Sequence, residues 1–377
     1  MVEWKELKEV FDTRNGYTPS TSNETFWEGG YIPWFKMEDI RDNGGILNDS
    51  YLHITDKAIK GKGLFKANSI LLATSATIGE HALIEVEHLS NQRFTNLYPK
   101  AKYEHEINMR YAYYYMFIID EWCRQHVNKG GFASVDMSGL YKQPFPIPSL
   151  SEQQRIVGIL DTFTSSIENL KEQIALRRKQ YEYFRDQLLD LEGKEGTERV
   201  LLKDVCEVIN GRAYSQPELL NEGKYRVLRV GNFFSNDSWY YSDLELESRY
   251  YCQKGDLLYA WSASFGPHIW EEEKVIYHYH IWKMDCSNGL HKKFMYYWLQ
   301  SEDMKRQAFT NLHGATMAHL TKALMEALMV PLPSLSEQQR IVSILDTFEA
   351  SIANLEEQLK QREKQYEYYR NKLLTFE

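Results

Sequence analysis

Residues 146–192 and residues 331–377 are the same segment written twice. At an offset of 185, 32 of the 47 aligned positions are identical, including the whole run Leu150–Arg155 and its copy Leu335–Arg340. Neither chance nor low complexity produces such a match, so the chain is a tandem duplication, and its fold must accommodate two equivalent long elements. In the first copy apolar residues step by four and three through Ile156, Leu160, Phe163, Ile167, Leu170 and Ile174. They resume at Tyr181, Phe184, Leu188 and Leu191; the second copy repeats the stepping from Ile341 to Phe376. A 4-3 alternation held for five heptads predicts a coiled-coil seam. A helix of about 40 residues spans roughly 60 Å, and one apolar stripe on so long a rod needs a partner. The cheapest partner is the other copy.

Each helix has a start signal. Pro146 and Pro148 keep the entry extended, and Ser151 stands three residues before Gln154, a capping-box spacing, with Glu152 in the first turn. Ser336, Gln339 and Glu337 repeat the arrangement. Arg177 and Arg362 interrupt the seam at matching places. Two readings stand open: the stems pack on the seam with guanidinium groups in water, or the pair forms a register-setting polar layer or a contact for another subunit.

The segments before the helices repeat far more weakly. Leu7–Val10 resembles Leu202–Val205, Asn15-Gly16 resembles Asn210-Gly211, and Ile70–Ala73 with Ser75–Gly79 resembles Leu257–Ala260 with Ser262–Gly266. Gly131–Ser134 and Gly314–Met317 precede the two helices. The expected plan is therefore α+β: globule 1–148, helical spacer 149–192, globule 193–333 and helical spacer 334–377, with the polar stretch 193–198 as linker. Strands are expected at Ser69–Ala73, Ala82–Val86, Tyr225–Val230 and Val275–Trp282, and short aromatic helices at Tyr111–Trp122 and Lys292–Gln300. Antiparallel pairing of the long helices makes the fold a pseudo-two-fold internal repeat with unlike globules. Such modules on a duplex read different half-sites on opposite strands, an asymmetric and bipartite target with an unread spacer.

Composition sets outer bounds. The chain has 377 residues, a formal charge of −9 and no apolar run long enough for a membrane span. Four scattered cysteines without a CxxC pair suit a reducing cytoplasm. No phosphate-binding G-x-x-x-x-G-K-[ST] loop occurs, Gly61-Lys62-Gly63 reads as a turn, and there is neither a Pro-Pro nor a Pro-Asp dipeptide to head a methyltransferase or nuclease motif. His278-Tyr279-His280 has metal-ligand residue types at strand spacing, without a neighbouring Cys or carboxylate cluster, and no metal is expected.

With this alternation of divergent globules and near-identical helices, each opened by a Pro-rich strand and Leu-Ser-Glu-Gln-Gln-Arg, the chain resembles over its full length the specificity subunit of bacterial type I restriction–modification systems. The resemblance implies a non-catalytic DNA-recognition subunit with two target-recognition domains, cytoplasmic in a bacterium or archaeon. It implies docking of two modification (methyltransferase) subunits and, where present, restriction subunits. No cofactor is expected on this chain; S-adenosylmethionine would sit on the modification subunits, ATP and Mg on the restriction subunits. A stand-alone bipartite DNA-binding regulator is the alternative, disfavoured by the acidic balance.

Base-reading candidates are polar residues beside Gly turns after apolar strands. In the first globule they are Lys36, Ser75, Thr77, Asn91, Gln92, Arg93, Lys129 and Ser134. In the second they are Arg229, Asn232, Ser262, Ser264, His278, His280, His313 and Thr316. The competing account of each is ordinary turn chemistry. Residues 1–148 carry 16 basic against 19 acidic residues, and 193–333 carry 16 against 18, so phosphate binding has to come from local patches or from partners. Off-seam residues repeated in both helices are candidate partner-subunit contacts: Gln153, Arg155, Gln180 and Glu182, with Gln338, Arg340, Gln365 and Glu367. Recent duplication explains their recurrence equally well. Inserting four residues at matched positions in both helices is expected to lengthen the pair by about 6 Å, roughly two base pairs at 3.4 Å each. Motif sequencing of modified DNA then shows a longer spacer between unchanged half-sites; altered half-sites with an unchanged spacer contradict the ruler.

Overall fold

The computed structural model describes residues 2–128, 133–234, 236–262, 264–309 and 320–376. It contains two compact units: residues 1–169 with 359–377, and residues 170–358. Both long helices form, as Leu150–Leu189 and Leu335–Leu374. Their caps lie two residues earlier than the capping-box spacing at Ser151 suggests. Ser149 Oγ accepts from Glu152 N at 3.3 Å and Ser334 Oγ from Glu337 N at 3.3 Å, so the cap is Ser149 or Ser334.

Within the first unit the opening of the first long helix packs against the close of the second. Ile156 and Leu160 share a core with Leu373, Leu374 and Phe376, and Phe163 meets Tyr366 and Tyr369 at ring-centroid distances of 6.4 and 5.4 Å. One sequence rises as the other falls, so the pair is antiparallel. Within the second unit Phe184 stacks on Phe348 at 5.5 Å, Arg178 pairs with Glu356 at 2.5 Å, and Leu188 and Leu189 share a core with Ile341 and Leu345. The seam arginines do not leave it: Arg362 lies over the Phe163 ring at 5.7 Å and Arg177 over Phe348 at 6.0 Å. These are cation–π contacts on the neighbouring helix, and Phe163 and Phe348 are themselves repeat partners.

The globules are built alike. In the first, Phe11–Asn15, Phe94–Pro99, Ser69–Ala73 and His81–Ile84 lie side by side in that order; in the second, Cys206–Asn210, Ile281–Cys286, Leu257–Ser262 and Ser264–Ile269 do the same. Beside them, Ile32–Phe35 runs parallel to Leu89–Ser90, as Tyr225–Leu228 does to Val275–Tyr277. Each globule closes on a two-stranded sheet, Glu3–Glu6 with Pro144–Ile147 and Glu198–Leu201 with Met329–Leu332. The predicted strand Val275–Trp282 is in fact two, Val275–Tyr277 and Ile281–Cys286, and His278–His280 form the turn between them. Val230, expected to end a strand, opens the short helix Val230–Phe234.

One side chain holds each globule on its helix. Gln153 is fully buried; its amide accepts from Asn108 N at 2.8 Å and donates to the Glu106 and Pro148 carbonyls at 2.8 and 2.9 Å. Gln338, equally buried, accepts from His291 N at 2.8 Å and donates to the Gly289 and Pro333 carbonyls at 2.9 Å. About two turns further along, Tyr114 donates to Asp161 at 2.5 Å beside Arg110, and Tyr297 to Asp346 at 2.5 Å beside Lys293. Burial and the carboxylate together push both phenols well above the ordinary tyrosine range. Replacing Gln153 or Gln338 by Ala takes the partner from one buried and two partly buried backbone groups, and a buried group costs about 1–3 kcal/mol when unmet. Either variant is expected to lose at least about 2 kcal/mol in urea unfolding followed by tryptophan fluorescence, with the exposed Gln154→Ala unchanged. A loss below about 0.5 kcal/mol refutes the clamp.

Candidate nucleic-acid interface

The turn His278–His280 sits where one strand ends, the next begins and a third passes close. His278 N donates to the Leu228 carbonyl at 2.9 Å, Ile281 N to the His278 carbonyl at 2.9 Å, and Trp261 N to the His280 carbonyl at 3.2 Å. Gly211 comes so near that a Cβ there would stand 2.3 Å from the His278 carbonyl oxygen, so only glycine permits the approach. The first unit has the same frame around residues 91–93. Asn91 N donates to the Phe35 carbonyl at 3.1 Å, Phe94 N to the Asn91 carbonyl at 3.3 Å and Thr74 N to the Arg93 carbonyl at 3.0 Å. A Cβ on Gly16 would lie 2.2 Å from the Asn91 carbonyl oxygen.

Position by position, these bonds equate Lys36 with Arg229, each the residue after its strand. They likewise equate Asn91 with His278, Gln92 with Tyr279 and Arg93 with His280, and Ser75 with Ser262. Seven of the eight candidates in the first globule fall in this bonded patch, for Ser75 also bridges Ser134, with Thr77 two residues on. In the second, Arg229, Asn232, Ser262, Ser264, His278 and His280 line a single cleft of about 470 Å³ with Phe234 and Asn236. Lys129, His313 and Thr316 lie outside the described residues.

The side chains are not equally available. Asn232 is spent on its own loop: Oδ1 accepts from Arg229 N at 3.0 Å and Nδ2 donates to the Asn236 and Ser238 carbonyls at 3.0 Å. Turn chemistry accounts for it. Lys36 N caps its helix through Asp39 at 2.6 Å, and Gln92 takes the Thr18 hydroxyl at 2.7 Å. Asn91 Oδ1 accepts from Arg93 N at 3.0 Å, and Arg93 is exposed and makes no ion pair among the described residues. Arg229 lies over the Tyr240 ring at 5.2 Å. Among the described residues no carboxylate lines the second-unit cleft. Burial first, then His280 and Arg229, lower the His278 pKa to about 4, so the ring is neutral at physiological pH. Its Nδ1 accepts from His280 N at 3.5 Å, which assigns the proton to Nε2. Among the described residues no group of three metal-ligating side chains occurs, and no helix is long and apolar enough to cross a membrane.

The helix candidates divide as well. Gln153 and Gln338 are wholly buried clamps without surface for a partner, which corrects their assignment as partner contacts. Arg155 and Arg340 stay exposed, each paired with the glutamate three residues before it at 2.6 and 2.7 Å. Gln180, Glu182, Gln365 and Glu367 are exposed. Pattern reading passed over Arg185, which is 7% exposed, paired with Asp186 at 3.0 Å and lies over Tyr181.

A family model described as the type I restriction modification DNA specificity domain matches residues 1–177 and again residues 194–364. The chain is 47% identical over 218 residues to the EcoprrI specificity subunit of Escherichia coli, a match covering 54% of each protein. It is 27% identical to a putative type I specificity subunit of Haemophilus influenzae, over all of this chain and 96% of that one. Among solved structures, a chain from work on complex assembly and conformational transition of the type I R-M system superposes with a TM-score of 0.68. Identity there is 16%, and the superposition covers 99% of this chain and 97% of that one. An S subunit from M. genitalium gives a TM-score of 0.56 at 16% identity, over 100% of this chain and 97% of that chain. At that identity the likeness is one of fold.

Lowering the pH from 6.5 towards 4 protonates a histidine in the unfolded chain while the folded cleft still holds His278 neutral, so unfolding binds a proton and the second unit loses stability across that window. The His278 Hε1 resonance is expected to titrate near pH 4 by NMR. A midpoint near 6.5 places the ring in bulk water instead.

Proposed function

Since this chain belongs to the type I restriction–modification DNA specificity family, we propose that it is the sequence-reading subunit of such a complex: it docks two adenine-methyltransferase subunits, accepts restriction subunits where the system has them, and reads an asymmetric bipartite DNA target. The observation that carries the reading is the pair of equivalent frames with unlike side chains. Lys36 with Asn91 and Arg93 in one unit, and Arg229 with His278 in the other, offer hydrogen-bond donors beside cationic groups, the chemistry that suits acceptor-rich base edges and phosphates. The same scaffold with different contents is what reading two different half-sites requires.

The chain itself is proposed to be non-catalytic. It positions the partners, which carry S-adenosylmethionine and, for cleavage, ATP and Mg. The acidic balance of both globules supports weak DNA binding by the isolated chain and tight binding only when partners share the phosphate contacts. The exposed repeated residues Arg155, Gln180 and Glu182, with Arg340, Gln365 and Glu367, are proposed as equivalent docking positions for the two methyltransferase subunits. A cytoplasmic location follows from this role.

The test is methylome sequencing of cells with and without the chain. Adenine methylation at one bipartite motif is expected to vanish on deletion and to return on complementation, while the purified chain alone transfers no methyl group to DNA. Persistence of all adenine methylation after deletion, or methyl transfer by the chain alone, contradicts the proposal.

A further inference from the structure

The two reading frames keep their backbone and change their contents at three consecutive positions. Five backbone hydrogen bonds recur. Besides the three around each tripeptide, Gly16 N donates to Phe94 O at 3.0 Å where Gly211 N donates to Ile281 O at 3.1 Å, and Tyr17 N to Ser90 O at 2.8 Å where Arg212 N donates to Tyr277 O at 3.1 Å. Within this constant scaffold one unit carries Asn-Gln-Arg at 91–93 and the other His-Tyr-His at 278–280. A segment clamped at both ends by backbone bonds to strands on either side tolerates side-chain replacement, because none of those bonds involves a side chain. The frame therefore does not depend on which side chains the turn carries, although Gln92 accepts from the Thr18 hydroxyl and His278 Nδ1 from His280 N.

We propose that the tripeptides Asn91-Gln92-Arg93 and His278-Tyr279-His280 are the specificity-determining segments of the two halves, each deciding base identity in one half-site only. The inference rests on the reading of the chain as a DNA-specificity subunit. The atoms narrow the base class. Asn91 commits one lone pair of its Oδ1 to Arg93 N, so the pair presents mainly donors, from Asn91 Nδ2 and the Arg93 guanidinium. Two donors together select an edge with two acceptors, which in the major groove is the N7 and O6 of guanine. Adenine, whose matching asparagine contact needs the amide oxygen as well, is disfavoured at this position. His278 presents a single Nε2 donor from a neutral ring, and Tyr279, 39% exposed, offers a phenol beside it. The imidazole donor selects a single acceptor, a purine N7, guanine O6 or thymine O4, while the phenol can donate or accept.

The experiment uses the full chain in complex with its methyltransferase subunits and reads the methylated motif by sequencing. The unaltered complex is read first; if it modifies no bipartite motif, the specificity-subunit reading itself fails, before the tripeptides are tested. In the complex carrying Arg93→Ala, discrimination at one guanine of one half-site is expected to fall by about 5- to 150-fold, with the other half-site read as before. Replacing residues 91–93 by the sequence at 278–280 is expected to change base identity in that same half-site. An Arg93→Ala variant that methylates every sequence more slowly with preferences unchanged marks a phosphate contact and overturns the proposal. So does a tripeptide exchange that leaves both half-sites intact. Should the exchanged protein fold poorly by thermal melting, Asn91→Ala and Arg93→Lys decide: unaltered base preferences in both count against the proposal.

Discussion

Each globule is held to its helix by one glutamine that never reaches the surface. Gln153 and Gln338 satisfy three backbone groups apiece, on a loop of the globule and on the proline-rich strand entering the helix. An unmet buried peptide group costs more than most side-chain contacts return, so the geometry admits little slack. The aspartate–tyrosine bond about two turns further along gives a second point of attachment. The helices then zip through a seam that even its arginines join, by lying on the aromatic rings of the neighbouring helix. Duplication of the glutamine, the aspartate, the arginine and the seam makes the two attachments copies of each other.

A fixed attachment is useful only if the reading face is fixed to the attachment in turn. The four central strands supply that link in each unit, and at their ends the close approach of Gly16 or Gly211 locks the reading turn against the sheet. At the reading turn the fixed part is backbone and the variable part is side chain. This division explains how two globules with little residue identity share one topology, and how a single architecture can serve unlike targets. Electrostatics follows the same economy. Neither globule is basic overall, yet Lys36 and Arg229 occupy the equivalent place beside each turn, and among the described residues no carboxylate lines the second-unit cleft.

The repeat, the helices and the antiparallel seam were legible because periodicity records a face, and a face repeated over 40 residues has one solution. The reading patch was legible in outline because polar residues after buried strands beside glycine mark strand ends. Other features were not. Ser149 and Ser151 both satisfy a capping spacing, with Glu152 and Gln154, and only the helix start tells them apart. The break at His278 escaped notice because its turn has neither Gly nor Pro, so Val275–Trp282 reads as one apolar run. Gln153 reads as a surface residue because two of its three partners are peptide groups more than forty positions away, and no pattern in the chain announces backbone groups that lack partners. Asn232 shows the converse: its residue type suits base reading, and its three bonds within its own loop consume it.

The central claim is that two equivalent turns, 91–93 and 278–280, face the DNA with their own side chains. A structure of the assembled complex on its modified target tests it most directly. Arg93 and Asn91 are predicted within hydrogen-bond distance of base edges in one half-site, His278 in the other, with Lys36 and Arg229 near phosphates. A complex in which both turns face solvent or a partner subunit, and the bases are read from other loops, contradicts the account.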